Sequence, residues 1–209
     1  MTGRFITLEG GEGTGKSTLI AGLNTAFRAR GISAVVTREP GGTPLAEAAR
    51  TLVLHPPEGE AWSPLAEALL MNAARVDHLE RQIRPALRGG LWVVCDRFSD
   101  STLAYQSVGG VSLPLLRQLE SLTVGDTRPD LTLVLDAAPE ALQPRRIARQ
   151  TRDAFEDKAL SFHHAVRERF LEIAKAAPER CVVIDALQTP EAILSEALEL
   201  IEKRLGWPV

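Results

Sequence analysis

A glycine-rich segment near the amino terminus has the residue types and spacing that bind phosphate. Gly10 to Ser17 reads GGEGTGKS and matches the pattern G-x-x-x-x-G-K-[ST]. Its glycines let the backbone curl so that successive N–H groups point at a polyphosphate, and the following helix adds the positive end of its dipole. Lys16 can reach the β and γ phosphates, and the Ser17 hydroxyl can hold Mg²⁺. The predicted ATP site comprises Gly10, Gly11, Glu12, Gly13, Thr14, Gly15, Lys16, Ser17 and Thr18.

The residues on both sides of this loop support the same interpretation. The apolar residues 5–8 precede it as a buried strand, and Leu19, Ile20, Leu23 and Phe27 follow at helical spacing. The alternative is a glycine-rich strand-to-helix turn that binds nothing. The joint occurrence of strand, loop, Lys-Ser pair and helix favours a nucleotide polyphosphate site.

A second acidic position follows another apolar run. Asp96 comes directly after residues 91–95, Leu-Trp-Val-Val-Cys. A carboxylate at the end of such a strand is typical of the Walker-B position, which helps hold Mg²⁺. The alternative is a helix cap or a loop ion pair. With the phosphate loop in the same chain, we predict that Ser17 and Asp96 hold the metal.

Arginines are the third chemical feature. Arg38 and Arg97 stand at predicted strand ends, Arg75 lies within a long predicted helix, and a basic stretch covers residues 145–152. A phosphoryl transferase needs many cations, because it brings a triphosphate and an acceptor phosphate together against their repulsion. For the basic stretch the alternative is a solvated helix face. Its position between the fourth and fifth predicted strands favours a mobile lid instead.

The hydrophobic pattern predicts the elements that position these residues. Strands are expected over about 4–9, 32–37, 91–95, 131–135 and 182–184. Helices are expected over about 16–29, 44–54, 63–88, 113–122, 156–176 and 190–204, with a loop or short helical turn at 98–111. We expect the long helix to bend at Pro85.

This alternation predicts an α/β fold of the P-loop NTPase type. Five parallel strands would form a sheet with helices on both faces, giving three layers. Residues 1–209 would form a single kinase domain with a small lid at about 143–156. In such sheets ligands bind outside the carboxyl ends of the strands, where the charged residues gather.

Composition and net charge limit the classes of binding partner that are expected. The 209 residues are 44% hydrophobic and 24% charged, with a formal net charge of -3. A chain without a basic excess is not expected to bind nucleic acid. Both cysteines, Cys95 and Cys181, stand in apolar runs and are expected to be reduced core residues. With neither a signal peptide nor a membrane-spanning run expected, we predict a cytoplasmic protein that does not bind membranes.

Taken together, these motifs resemble those of bacterial thymidylate kinases, the dTMP kinases, and the resemblance covers nearly the whole chain. Besides the phosphate loop, three segments carry it: Thr37-Arg38-Glu39-Pro40-Gly41-Gly42-Thr43, Ala73-Ala74-Arg75, and Asp96-Arg97-Phe98 followed by residues 101–106. The resemblance implies transfer of the ATP γ-phosphoryl group to dTMP, with Mg²⁺, by a homodimeric enzyme. The helix at 63–88 is then a candidate dimer interface.

The resemblance also implies roles for single residues. Glu12 would bind the 3′-hydroxyl of the dTMP sugar, and Arg38 and Arg97 would hold its phosphate. Tyr105 would pack against the deoxyribose, where a 2′-hydroxyl would crowd its ring. The implied substrate site comprises Glu12, Arg38, Pro40, Met71, Arg75, Arg97, Ser101, Thr102, Tyr105 and Gln106.

The base and the lid complete this assignment. Arg75 would approach a thymine carbonyl, with Thr102 and Gln106 near the base edge. Arginines of the lid would meet the ATP phosphates in the transition state. The residues assigned to catalysis are Lys16, Arg97, Arg149 and Arg152.

Two positions depart from the family pattern. Met71 stands where the family usually has a phenylalanine stacked on thymine; one helical turn before Arg75, it can still reach the pocket or can simply fill the core. In the lid, residues 153–156 read Asp-Ala-Phe-Glu and lack the family's usual arginine. Either Arg149 or Arg152 would replace it.

Two other functions remain open from sequence alone. One is a kinase for another nucleoside monophosphate or for a deoxynucleoside. The other is a P-loop switch or assembly ATPase, which would need a recognisable switch segment that we do not find in the sequence.

Overall fold

Five parallel strands form one sheet in the computed structural model, which describes residues 3–147, 155 and 158–207. The strands are β1 (Phe5–Glu9), β2 (Ala34–Arg38), β3 (Trp92–Asp96), β4 (Leu131–Asp136) and β5 (Cys181–Asp185). Their order across the sheet is β2-β3-β1-β4-β5. Arg38 pairs in register with Asp96, and Leu8 with both Asp96 and Leu133, so the strands end at one common edge. The predicted five-stranded parallel sheet is confirmed.

The described residues also form nine α-helices. They are α1 (Lys16–Ala29), α2 (Pro44–Leu54), α3 (Pro64–His78), α4 (Arg84–Arg88), α5 (Ser99–Val108), α6 (Leu113–Val124), α7 (Pro139–Ile147), α8 (Leu160–Ala176) and α9 (Pro190–Leu205). Three of them begin with a hydroxyl residue followed by proline: Thr43, Ser63 and Thr189 each accept a hydrogen bond from the backbone N–H three residues later. Within the described chain, no helix is long and apolar enough to cross a membrane.

The predicted helix at 63–88 is divided into three parts. A π-helical turn, Leu79–Ile83, lies between α3 and α4. Pro85 follows this turn and has no N–H for the carbonyl four residues earlier, so the helix widens before it. The bend predicted at Pro85 stays a prediction; what the structure has is a widened turn just before this proline.

Side chains on both faces of the sheet pack against helices. Ile6 and Leu8 of β1 join one cluster with α1 and α9, whereas Phe5 faces Leu79 and Ile83 on the other side. All five residues of β1 are buried, as expected for a central strand of a parallel sheet. These two packed faces give the predicted three layers.

The expectation of a loop or short helical turn at 98–111 was wrong. The segment contains α5, a ten-residue helix. Its buried face carries polar residues, among them Ser99, Asp100, Thr102 and Gln106, and this hides the apolar periodicity by which helices are recognised. Thr102 and Gln106 line the site described next, whereas Asp100 is paired with Arg180.

Candidate active site

The glycine-rich loop connects β1 to α1 at the carboxyl edge of the sheet. Gly10 has φ of 128°, and a Cβ there would lie 2.2 Å from the carbonyl oxygen of Leu135 in β4. Gly15, with φ of 95°, caps the start of α1. A larger residue at Gly10 would be strained and would collide with the neighbouring strand. The loop is therefore fixed by its own backbone and by the sheet.

Lys16 folds back over this loop. Its Nζ donates to the carbonyl oxygens of Gly10 at 3.1 Å and Gly11 at 2.9 Å. Burial lowers the pKa of the Lys16 ammonium to about 8, and the positive charge of Arg97 adds to the effect. A buried cation whose hydrogen-bond partners among the described residues are two carbonyl oxygens is well placed to bind an incoming phosphate.

The predicted metal residues lie next to each other. The Ser17 hydroxyl donates to Asp96 Oδ2 at 3.3 Å. The other carboxylate oxygen, Asp96 Oδ1, is buried and has no hydrogen-bond partner among the described residues. Buried polar atoms normally have partners, and carboxylate oxygens are ligands that Mg²⁺ prefers. The pair fits Mg²⁺ that is also bound by phosphates.

A cavity of about 300 Å³ opens beside the phosphate loop. It is formed by the ends of β2 and β3, by α3 and α5, and by the loop itself. The predicted site residues in its wall are Glu12, Gly13, Gly15, Lys16, Ser17, Arg38, Pro40, Met71, Arg75, Asp96, Arg97, Ser101, Thr102, Tyr105 and Gln106. Residues of both predicted binding sites thus surround one space.

Arg97 lies at the junction between the loop and α5. Its guanidinium donates to Glu12 Oε1 at 2.5 Å, to the Tyr105 hydroxyl at 3.1 Å and to Ser101 Oγ at 3.0 Å. A further bond reaches the Gly10 carbonyl at 3.0 Å. The Arg97 backbone has φ of 68°, a left-handed conformation uncommon outside glycine and often found at functional sites. These contacts fix the arginine before any ligand is bound.

Arg38 lies on the opposite wall and is held more loosely. Its side chain is 55% exposed and pairs with Glu47 at 3.0 Å. Glu47 also accepts from the Gly42 backbone N–H at 3.0 Å, which ties the segment after β2 to α2. Arg50, a turn further along α2, donates to the Pro40 carbonyl at 3.0 Å and lines the same cavity. An anion here would meet two guanidinium groups.

Arg75 is buried in the cavity wall, with an exposed fraction of 3%. Its Nε donates to Glu39 Oε2 at 2.7 Å, and its Nη2 to Thr102 Oγ1 at 2.8 Å and to the Phe98 carbonyl at 3.2 Å. Its Nη1 lies 3.3 Å from Asn72 Oδ1. The guanidinium therefore has one orientation, set by residues of α3, of α5 and of the segments that follow β2 and β3.

The far end of the cavity combines apolar and amide groups. Met71 and Phe155 line it, and the Phe155 ring lies edge-on to Tyr105 at 5.4 Å. Gln106 donates through Nε2 to Glu67 at 2.9 Å, whereas its Oε1 is buried and has no partner in the part of the chain that is described. An unpaired amide oxygen beside apolar walls suits a flat heterocycle with an N–H group.

A second cavity of about 300 Å³ lies on the other side of the phosphate loop. Arg145 of α7 and residues at the start of α9 close it, and Arg145 also donates to the Ala186 carbonyl at 3.0 Å. The cavity is lined by Gly13, Thr14, Gly15, Thr18, Leu19, Arg145, Gln188, Pro190 and Ile193. The loop therefore separates two spaces.

Comparison with known proteins agrees with this geometry. The family model described as "Thymidylate kinase" matches residues 8–197. The chain belongs to the thymidylate kinase family.

Relatives match along almost the whole chain. The thymidylate kinase of Chromohalobacter salexigens is 52% identical over 209 residues, covering 98% of both chains. That of Bradyrhizobium diazoefficiens is 48% identical over 207 residues, covering 97% of this chain and 90% of the relative. The crystal structure of thymidylate kinase from Ehrlichia chaffeensis superposes with a TM-score of 0.77 at 33% identity, covering 96% of this chain and 99% of that chain. The resemblance seen in the sequence motifs is confirmed.

Some residues assigned from the thymidylate kinase resemblance cannot be placed. Arg149 and Arg152 lie outside the described residues, as does most of the segment 153–156. Of the segment predicted as a lid, about 143–156, the structure describes only the end of α7 and the buried Phe155. Gly10 and Gly11 line a small recess behind the thymidylate kinase phosphate loop, away from the main cavity.

The thymidylate kinase site also contains residues that sequence reasoning missed. Arg50, Glu39 and the second cavity's Gln188 were not assigned. Glu9 was noted only as a strand end; it is fully buried and accepts from the Phe98 N–H at 2.8 Å and from Ser101 Oγ at 2.6 Å. Burial, reinforced by the charge of Asp100, raises the pKa of Glu9 to about 8. Of these, Glu39 and Glu9 had a sequence signal, because Glu39 lies inside a recognised motif and Glu9 directly precedes Gly10 of the phosphate loop; Arg50 and Gln188 had none.

Proposed function

We propose that this chain transfers the γ-phosphoryl group of ATP to dTMP and releases dTDP and ADP. One observation carries the proposal: Lys16 of the phosphate loop shares a single cavity with Arg38, Arg75 and Arg97. Two anionic substrates repel each other, and cations around one space offset that repulsion. Membership of the thymidylate kinase family supports dTMP as the acceptor.

On the donor side, the loop's N–H groups and Lys16 bind the ATP phosphates. The second cavity, between Arg145 and α9, takes the nucleoside end of ATP, since it adjoins the loop on the side away from the arginine cluster. Mg²⁺ bound by Ser17 and Asp96 would neutralise charge on the phosphates.

On the acceptor side, Arg97 and Arg38 hold the dTMP phosphate. Glu12, already bound to Arg97 and Tyr105, faces the sugar hydroxyl, and the Tyr105 ring packs on the deoxyribose. The base enters beside Met71, where the unpaired Gln106 oxygen can accept its N–H. Pro40, Ser101 and Thr102 complete the wall.

The phosphoryl transfer needs no strong general base. The acceptor phosphate has a second pKa of about 6 and is mostly dianionic at neutral pH. Catalysis then consists of alignment and charge stabilisation by Lys16, Arg97 and a lid arginine, Arg149 or Arg152. We assign residues 143–156 to a lid within a single domain of residues 1–209, whose closure excludes water from the transfer.

We also propose that two copies associate through neighbouring helices. Leu65 and Leu69 of α3 and Leu115 and Leu122 of α6 are exposed on helices that contact each other. An exposed apolar surface of this kind is typical of an interface. Cys95 and Cys181 are both buried and unpaired, which supports a reducing compartment such as the cytoplasm.

A panel of acceptors tests the proposal. ADP release is measured with ATP and Mg²⁺ against dTMP, dUMP, UMP and thymidine. We expect dTMP to give the highest kcat/KM. A preference for another monophosphate or for thymidine would replace the acceptor, and acceptor-independent hydrolysis would indicate a switch ATPase.

A further inference from the structure

Behind the acceptor arginines lies a row of buried polar residues, which reaches the cavity wall at Glu39. His78, at the end of α3, is fully buried, and its Nδ1 lies 3.1 Å from Glu39 Oε1. The other oxygen of Glu39 accepts from Arg75 at 2.7 Å. On its far side His78 Nε2 lies 2.7 Å from Thr37 Oγ1. Glu39 thus joins the imidazole to the guanidinium.

The partners determine which ring nitrogen carries a hydrogen. An ionised carboxylate only accepts, so Nδ1 of His78 must be a donor toward Glu39. We assign this tautomer from the partners. Glu39 therefore receives one N–H from His78 and one from Arg75, which leaves its carboxylate a single orientation.

The segment after β2 rests directly on this histidine. Gly42 has φ of 88°, and a Cβ there would lie 2.3 Å from His78 Nε2 and 2.6 Å from Thr37 Oγ1. The next residue, Thr43, donates to Asp77 of α3. Residues 37–43, which include Arg38, are therefore docked onto the last turn of α3.

We propose that His78 and Glu39 are positioning residues for the acceptor: they lock the segment carrying Arg38 to Arg75, so that both arginines face dTMP at a fixed separation. The inference rests on the acceptor roles of Arg38 and Arg75 proposed above. Neither His78 nor Glu39 takes part in the donor site, which lies beyond Lys16. The linkage should therefore set the affinity for dTMP and leave that for ATP unchanged.

Two substitutions at position 78 test the two contacts of the imidazole ring one at a time, because each keeps one contact and removes the other. Asparagine can keep an N–H near the place of Nδ1, toward Glu39, but cannot reach Thr37. Glutamine can keep a polar atom near the place of Nε2, toward Thr37, but removes the donor to Glu39. We expect His78→Gln to raise the KM for dTMP about tenfold, as for loss of a hydrogen bond to a charged group, with the ATP KM within about twofold of the wild type. His78→Asn should stay within about threefold for both substrates.

A double-mutant cycle tests whether His78 acts through Arg75. If it does, adding His78→Gln to Arg75→Lys should raise the dTMP KM by no more than about twofold beyond Arg75→Lys alone. If the rise in the dTMP KM of the double variant equals the product of the rises in the two single variants, His78 acts independently of Arg75 and the inference is wrong. Equal losses in His78→Gln and His78→Asn, or a matching rise in the ATP KM, would also overturn the inference.

Controls keep this outcome separate from the proposed function. If Arg75→Lys leaves the dTMP KM unchanged, the role of Arg75 at the base fails. If Arg75→Lys raises it and His78→Gln does not, only the positioning inference fails. Thermal unfolding is measured for every variant, and if His78→Gln is unfolded at the assay temperature, Glu39→Gln takes its place. That variant has one acceptor oxygen for two donors, so an unchanged dTMP KM would overturn the inference equally.

Discussion

The two halves of the site are built in different ways. The half proposed to bind the donor is a continuous loop, in which we propose backbone N–H groups as the main phosphate contacts and whose conformation depends on glycines such as Gly10 and Gly15. The half proposed to bind the acceptor is made mainly of side chains from α3, from α5 and from the ends of β2 and β3 with the segments that follow them. They are already joined in ion pairs such as Arg75–Glu39, and Arg97–Glu12 joins them to the loop. The first depends on local conformation, and the second depends on the packing of distant segments. Mutations should therefore affect ATP and dTMP separately.

The largest effect is expected at the loop. Lys16→Met removes the cation that reaches the transferred phosphate, so kcat should fall by about 10² to 10³. The fold should persist, because burying the ammonium is unfavourable: it lowers the pKa of Lys16 to about 8. Steady-state turnover and thermal unfolding at pH 7 test this. Activity near the wild-type level would remove Lys16 from the donor half.

Next in size is Arg38→Ala, which addresses the acceptor half alone. Loss of a guanidinium that binds the acceptor phosphate should raise the KM for dTMP about tenfold or more, with the ATP KM little changed. Arg30→Ala, at the exposed residue that follows α1, is a matched control, since among the described residues Arg30 donates to the nearby Ala26 carbonyl and stacks on Trp207. Equal effects of Arg38→Ala on both substrates would break the division between the halves.

A smaller effect concerns stability at the junction of the two halves. The pKa of Glu9 is raised to about 8 by burial and by Asp100, against an ordinary value of 4.5. The folded state therefore binds more protons than the unfolded state between pH 4.5 and 8, and the contribution of Glu9 to stability is lost as the pH rises through this window. Glu9→Gln keeps an acceptor for the Phe98 N–H and removes this titration.

Chemical denaturation at several pH values measures the Glu9 effect. We expect the free energy of unfolding of Glu9→Gln, relative to the wild type, to rise by at least about 1 kcal/mol between pH 5 and pH 8. A constant difference across that range would mean that Glu9 is ionised in the folded protein at pH 5.

The smallest effect is expected at the sugar. Tyr105→Ala opens space beside the deoxyribose, so the preference for dTMP over UMP should weaken a few-fold, in the range of one lost packing contact. Tyr105→Phe keeps the ring but loses the hydroxyl bonded to Glu12, and should retain the preference. Competition assays with the two nucleotides distinguish the outcomes. Equal selectivity in all three proteins would separate Tyr105 from sugar recognition.

The difference between the halves also explains what could be predicted from sequence. The loop, the five strands and most helix ends follow from local rules: glycine spacing, β-branched runs, and Thr43 or Ser63 before proline. The arginines at strand ends could be placed on one edge, because parallel strands end together.

What could not be predicted depends on distance along the chain. Helix α5 was missed because its buried face carries the polar residues Asp100 and Gln106. They can be buried because they pair with residues distant in the sequence, Arg180 and Glu67. Arg50 was missed because nothing in the local sequence distinguishes it from other helical arginines. Its place in the site follows from its hydrogen bond to the Pro40 carbonyl, which only the folded chain shows. The contact between Glu39 and His78 spans 39 positions, and no local pattern indicates it.

The order of the strands has a consequence for protein engineering. Connections after β2 and β3, on one flank of the central strand, supply most of the first cavity, to which the connection after β4 adds Phe155; connections after β4 and β5, on the other flank, close the second cavity. Among the described residues, the segment after β1 lines both cavities most extensively, and the connection after β4 adds one described side chain to each, Phe155 and Arg145. Substrate range on one flank can therefore be redesigned by loop exchange while the opposite flank, and with it the choice of phosphate donor, keeps its native sequence.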